Sequence, residues 1–170
     1  FSGQQRIHYD GEDIVVADKD DNSIKKIDTS DSNSVSTIIG PDTTNLRNVL
    51  DMTSDEDYYY TLARASSTYS STTRICKWDR DDGTMVGSCS TAGRYGTALA
   101  IYEGADELFL LQTSSSSSYR KIVGFSTSNL ATNGKSISYG SGVSSWYYSQ
   151  DIDVDESTGD VYIVYREYQG

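Results

Sequence analysis

Histidine and proline occur once each in this chain, cysteine twice, and no apolar run is long enough to span a bilayer as a helix, so membrane insertion is not expected. The lone histidine, His8, has no second His, no Cys and no serine–base pattern beside it in sequence, and it reads as a packed or solvated residue. Gly-x-Ser-x-Gly and His-Glu-x-x-His patterns are both missing, and Gly140-Ser141-Gly142 has no phosphate-loop context. Without an Asn-X-Ser/Thr triplet, N-linked glycosylation is not expected. Basic residues are scarce: 14 Lys and Arg stand against 25 Asp and Glu, a net charge of −11 that argues against nucleic acid or an anionic membrane surface as partner. Helical periodicity is missing throughout, which leaves an all-β chain.

What the chain has is tyrosine, 14 of them, together with abundant Ser and Thr and a repeated strand–turn–strand unit. The clearest copy is Asp151 to Tyr168, where Ile152 and Val154 alternate with acids, Ser157-Thr158-Gly159 turns, and an apolar, aromatic strand follows. Three more copies centre on Asp13-Ile14-Val15-Val16-Ala17, Asp57-Tyr58-Tyr59-Tyr60-Thr61 and Glu107-Leu108-Phe109-Leu110-Leu111, each led by an acid. This spacing suits the four-stranded blades of a propeller. Each core has a shorter strand before it: Arg6 to Tyr9, Val49 to Thr53, Ala98 to Tyr102, and Asp151 to Asp155. The first three also have third strands at Ser23 to Asp28, Arg74 to Asp79 and Lys121 to Phe125, and fourth strands at Ser34 to Ile39, Met85 to Ser90 and Lys135 to Tyr139. Asp82-Gly83 and Asn133-Gly134 are the expected outer turns. The expected fold is therefore β-propeller-like, a single domain or part of one over 1–170, with blades near 6–40, 46–91 and 97–140 and the inner half of a fourth at 150–170.

The segments GEDIVVADKDDNSIKKIDTSDSNSVSTIIG (11–40) and DIDVDESTGDVYIVYRE (151–167) resemble β-propeller repeats of the NHL and YVTN kind. Val15-Val16-Ala17-Asp18 followed by Ile24-Lys25-Lys26-Ile27-Asp28 carries the likeness best, while the second and third copies have Arg64 and Gln112 in place of that Asp. The resemblance implies fold more than function, because propellers host enzymes, receptors and scaffolds alike. Three arrangements fit the blade count: a piece of a longer chain, a four-bladed ring with a thin last blade, and a half-ring completed by another chain. The first is the expectation, and a chain that starts at Phe1 is expected to be processed or a fragment.

Several side chains are candidates for chemistry or contact. Cys76 and Cys89 flank the Asp82-Gly83 turn and are expected to form a disulfide, which suits a secreted, extracellular protein. Asp18, Asp20 and Asn22 alternate as oxygen ligands do in a calcium loop, but the Gly and the closing Glu of such a loop are missing. Asp151, Asp153 and Asp155 alternate as well, about 7 Å apart if they share one strand face. Turn acids that bond their own backbone explain both sets without a metal; no cofactor is expected, calcium being the candidate if there is one. Ser66, Ser67, Thr68, Ser70, Ser71, Thr72 and Thr73, and Ser114, Ser115, Ser116, Ser117 and Ser118, fill two hydroxyl-rich loops that would accept O-linked sugar outside the cell. Tyr58 to Tyr60 and Trp146 to Tyr148 would suit carbohydrate or protein contact, with blade packing the plainer role.

Val161, Tyr162, Ile163, Val164 and Tyr165 form a strand with nothing after it to pair with, a binding edge to be covered by the Phe1 to Gln5 segment, by downstream residues of the same chain, or by another protein chain. The expectation is a non-catalytic extracellular module for protein binding or structural assembly, as part of an oligomer or filament. The alternative is a calcium-dependent propeller hydrolase or lactonase using Asp51, Glu103, Asp153 and His8 at a channel mouth.

Overall fold

The computed structural model describes residues 5–65, 72–113, 120–139 and 147–167, with the backbone alone at 5, 89–94, 147–150 and 165–167. Four antiparallel sheets follow one another along the chain. The first holds β1 (Gln5–Tyr9), β2 (Ile14–Asp18), β3 (Ser23–Asp28) and β4 (Ser34–Ile39), in chain order. The second holds β5 (Val49–Ser54), β6 (Tyr58–Arg64), β7 (Thr72–Asp79) and β8 (Met85–Arg94), and the third β9 (Gly96–Tyr102), β10 (Glu107–Gln112), β11 (Lys121–Ser126) and β12 (Thr132–Ser138). The fourth is a pair, β13 (Tyr147–Val154) with β14 (Val161–Glu167). A 3₁₀ turn, Glu103–Ala105, interrupts the β9–β10 connection. This is an all-β, β-propeller-like fold with three four-stranded blades and an inner two-stranded fourth.

Blades are held together by alternation along the second strand of each. Successive strand residues point to opposite faces, so Val15 and Ala17 of blade 1 meet Met52, Tyr59 and Ala63 of blade 2 in one apolar cluster. Tyr60 and Leu62 then point the other way, onto Leu99, Leu108 and Leu110 of blade 3. Phe109 and Leu111 in turn meet Ile152 and Val154 of blade 4, with Val161 and Ile163 packed against them. Each such side chain contributes about 1.5–3 kcal/mol when fully buried. The innermost strands sit side by side: β1 against β5, β5 against β9, and β9 against β13. The core is thus three layers between blades, and the inner strands form a continuous curved wall.

One local expectation is corrected. Asn133-Gly134 is not the outer turn of blade 3, because the chain turns at Thr127–Leu130 and both residues lie inside β12. Gly134, at φ +84°, instead marks the irregularity where β12 slips against β11. The β7–β8 ladder sets Cys76 opposite Ser88 and Cys89 opposite Ile75. The Cys89 side chain lies outside the described residues.

Candidate functional site

The inner wall carries the most concentrated polar chemistry. A cavity of 400 Å³ is bordered by His8 and Ile7 from β1, Asp51 and Ser54 from β5, Leu99 to Ile101 from β9, and Asp151 and Asp153 from β13. Asp51 points from blade 2 toward blade 3, where its carboxylate accepts the Leu99 N–H at 2.7 Å. Burial pushes its pKa up, against the pull of the Leu99 and Met52 N–H groups and with the help of the Asp151 charge, from 3.8 to about 6. On its other face blade 2 meets blade 1, and there His8 Nε2 lies 2.8 Å from Ser54 Oγ. Burial holds the His8 pKa below its ordinary value, with Arg80 acting in the same direction and Asp10 against it. The pair borders a 330 Å³ depression together with Asp10, Glu56, Arg80 and Glu103. Asp51, Asp153 and His8 therefore border one cavity, while Glu103 sits with His8 in the neighbouring one. The Ser54 contact was not visible in sequence, since 46 residues separate the two positions.

At the rim between blades 1 and 2, acids and bases interlock around a 590 Å³ depression. Arg80 pairs with Asp10 at 3.1 Å, and Lys26 with Asp13 at 2.9 Å. Tyr59 donates to Asp10 at 2.7 Å and carries the Arg80 guanidinium 5.3 Å from its ring centre. Burial and then the Asp10 bond push the Tyr59 hydroxyl pKa up, so it stays a donor. Asp10 itself is pushed up by burial, but the Asp13 N–H, Tyr59, the Glu12 N–H and Arg80 outweigh this and hold it low.

Most turn acids are committed to their own backbone. Asp10 accepts the N–H groups of Glu12 and Asp13, Asp55 those of Asp57 and Tyr58, and Asp79 those of Asp81 and Asp82. The calcium candidates follow the same rule. Asp18 takes the Asp20 N–H at 3.1 Å and the Lys25 ammonium at 2.9 Å, while Lys25 also pairs with Asp21. Asn22 sits at positive φ in the β2–β3 turn. Asp151 and Asp153 accept the N–H of Ile152 and Val154 and share an exposed face of β13. Asp155 does not extend that face: β13 ends at Val154, and Asp155 bonds the Ser157 N–H and hydroxyl in the following turn. Among the described residues no three His, Cys, Asp or Glu side chains are grouped to hold a metal ion.

The remaining candidates divide between surface, core and residues beyond description. In β14, Tyr162 and Val164 are exposed at 58% and 61%, while Val161 and Ile163 turn toward blade 3. The Tyr165 side chain lies outside the described residues. Among the described residues β14 has β13 as its one strand neighbour, so its outer edge is unpaired there. Phe1 to Gln4 fall outside the described residues, and Gln5 belongs to β1. Thr73 is fully buried in β7, so it is closed to a sugar, and Thr72 beside it is half-buried. Ser66, Ser67, Thr68, Ser70, Ser71 and Ser114 to Ser118 all lie outside the described residues, as does Trp146. Of the tyrosine run, Tyr59 and Tyr60 pack between blades.

No family model and no curated protein matches the chain. Solved structures do. A chain of a nidogen/laminin complex superposes with a TM-score of 0.66 at 12% identity, over 92% of this chain and 53% of that one. The hydrazine synthase of Kuenenia stuttgartiensis gives 0.65 at 11%, over 90% of this chain and 38% of that one. A chain of a mitotic checkpoint complex gives 0.62 at 14%, over 91% and 43%. This chain therefore spans about half or less of the length of these matched chains. At such identity the likeness carries fold alone, and together with the four successive sheets it makes this a β-propeller fold.

Proposed function

We propose that this chain is a non-catalytic extracellular β-propeller module, its repeats of the NHL and YVTN kind, that binds or assembles with other proteins. The observation that carries the reading is β14, a strand with one neighbour among the described residues, whose outward side chains, Tyr162 and Val164, are exposed beside an edge that is unpaired there. Such an edge recruits an extended segment of a partner by adding a strand. Two of the three structures described above come from complexes by their titles. The acidic surface fits a protein or carbohydrate partner outside the cell and disfavours nucleic acid, and the hydroxyl-rich stretches 66–71 and 114–118 are proposed carriers of O-linked sugar.

The reading is tested with a synthetic peptide of the β11 sequence, Lys121–Ser126, offered as a third strand to the β13–β14 pair of the described residues. Amide exchange in Val161–Glu167 is expected to slow on addition of the peptide and to be fast without it. Slow exchange before addition, unchanged by millimolar peptide, would sink the open-edge reading. A hydrolase or lactonase using calcium is the second reading, favoured by the His8–Ser54 pair and the neighbouring carboxylates. Ester or lactone turnover lost in Ser54→Ala would replace the first reading with it.

A further inference from the structure

We propose that Asn133 is a site of spontaneous covalent modification, its side-chain amide being attacked by the Gly134 nitrogen and hydrolysed by way of a succinimide. The site lies in β12, away from β14, and is independent of the binding reading. Asn133 is the one asparagine of the sequence that glycine follows. The pair is not used for the blade 3 hairpin turn, and both residues are exposed within β12. Glycine matters because it sets no side chain beside the attacking nitrogen, and Gly134 stands at φ +84° with open space around its Cβ position. The ladder pairs Val123 with Ser136 and Phe125 with Thr132, so Asn133, Gly134 and Lys135 face the single Gly124 in a bulge. The Asn133 amide sits over Gly124 in the room that a side chain would fill: a Cβ there would lie 2.5 Å from Oδ1 and 3.0 Å from Nδ2.

The groups around the amide suit the reaction. The Lys135 N–H donates to Oδ1 at 3.0 Å, which folds the side chain back along its own backbone toward the intervening Gly134 nitrogen. The same bond polarises the carbonyl and is placed to stabilise the oxyanion that forms on attack. Nδ2 donates to Glu107 Oε1 at 3.0 Å, and the Lys135 ammonium rests on that oxygen at 2.5 Å, a proton source beside the leaving nitrogen. A bond forms between Gly134 N and Asn133 Cγ, and the Cγ–Nδ2 bond breaks. Gly134 N loses its proton to solvent, while Nδ2 takes one and departs as ammonia. Water then opens the ring at either carbonyl, leaving aspartate or isoaspartate. Aspartate puts a carboxylate where an amide donated to Glu107, so attraction becomes repulsion between like charges. Isoaspartate adds a methylene to the backbone of the strand. Either product loosens β12 from β11 at the bulge.

Peptide mass spectrometry on the folded chain, aged at mildly alkaline pH, measures conversion residue by residue, with the same chain aged in denaturant beside it. Amide-to-acid exchange at Asn133 is expected in the folded chain, several-fold faster than at Asn22 or Asn33, each followed by Ser. Asn133→Asp is expected to speed amide exchange across Thr132–Ser138. Adding Glu107→Gln to it is expected to slow exchange again, a rescue that separates charge repulsion from general loss of fold. Asn133 left intact in the folded chain while the denatured chain converts overturns the proposal, because the fold then protects the amide. Conversion no faster than at Asn22 and Asn33 overturns it too. Exchange unchanged by Asn133→Asp, or not rescued by Glu107→Gln, overturns the loosening of β12 by charge.

Discussion

Asp51 illustrates how one carboxylate's surroundings decide its energetics. It is held between blades 2 and 3, and burial raises its pKa to about 6 from 3.8. A carboxyl whose folded pKa is raised contributes stability that is fully present below the unfolded value and is lost as pH climbs through the folded one. The loss at this site therefore falls between about pH 4 and pH 6. Asn keeps an acceptor for the Leu99 N–H and carries no charge to desolvate. Asp51→Asn is expected to match the native protein near pH 4 and to be more stable at neutral pH, by about 1–2 kcal/mol after allowance for partial solvation. Chemical unfolding at a series of pH values reads the difference, and a gap that does not change with pH would show that Asp51 is solvated. For the same reason burial moves the His8 pKa the other way: it favours the neutral ring, which leaves Nε2 able to accept from Ser54.

Turns set the relation between one blade and the next, and they show where sequence reasoning worked and where it stopped. Gly83, in the β7–β8 turn, has φ +70°, and a side chain there would overlap the Ile38 carbonyl oxygen at the end of β4. Gly83→Ala is expected to cost roughly 2–4 kcal/mol, from the left-handed backbone and the forced separation of blades 1 and 2, read as a lower midpoint in denaturant. An unchanged midpoint would mean that the turn moves freely away from β4. The strands themselves were legible because the blade unit repeats along the chain: β3 and β4 span the residues expected, Ser23–Asp28 and Ser34–Ile39. Alignment on the leading acid was less sound. It matched Tyr59 to Val15, yet Val15 faces blade 2 while Tyr59 faces blade 1, and Tyr60 is the true equivalent. A slip of one residue reverses every face, and nothing local in Asp57-Tyr58-Tyr59-Tyr60 distinguishes the two registers. The departures from the repeat at Arg64 and Gln112 have a physical side. Asp18 serves a short turn by accepting the Asp20 N–H, whereas the connections after Arg64 and Gln112 are longer. The candidate site was less legible than the strands, because His8, Asp51 with Ser54, and Asp153 come from three separate segments that only blade stacking joins.

At the scale of the whole molecule the charge of −11 is mostly architecture, and it acts on stability in two opposing ways. Like charges repel in the compact state, so adding protons relieves the fold. Many of the same carboxylates, however, hold turns together only while ionised. Asp18 is kept below its ordinary pKa first by the Lys25 hydrogen bond, Asp28 by the Ser30 hydroxyl, Asp82 by that of Thr84 and Asp155 by that of Ser157. For Asp10 and Asp42 burial acts upward, but their hydrogen-bond donors, the Tyr59 hydroxyl and Asn45 among them, outweigh it. Groups with depressed folded values contribute stability that is present above the unfolded pKa, near 3.8, and is lost as pH falls through the folded values. From neutral pH downward, relief of repulsion and protonation of Asp51 act first and raise stability. Below about pH 4 the turn acids lose their bonds together, and stability falls steeply. The thermal midpoint is therefore expected to peak on the acid side of neutrality, between about pH 4 and pH 6. Added salt should lift the neutral limb, where unscreened repulsion dominates, more than the acid limb, where the loss is of short-range hydrogen bonds. A midpoint that climbs steadily from pH 3 to pH 8 at low salt would mean that the turn carboxylates outweigh both repulsion and Asp51 throughout. The acidic composition would then stabilise this fold at every pH above the carboxylate range.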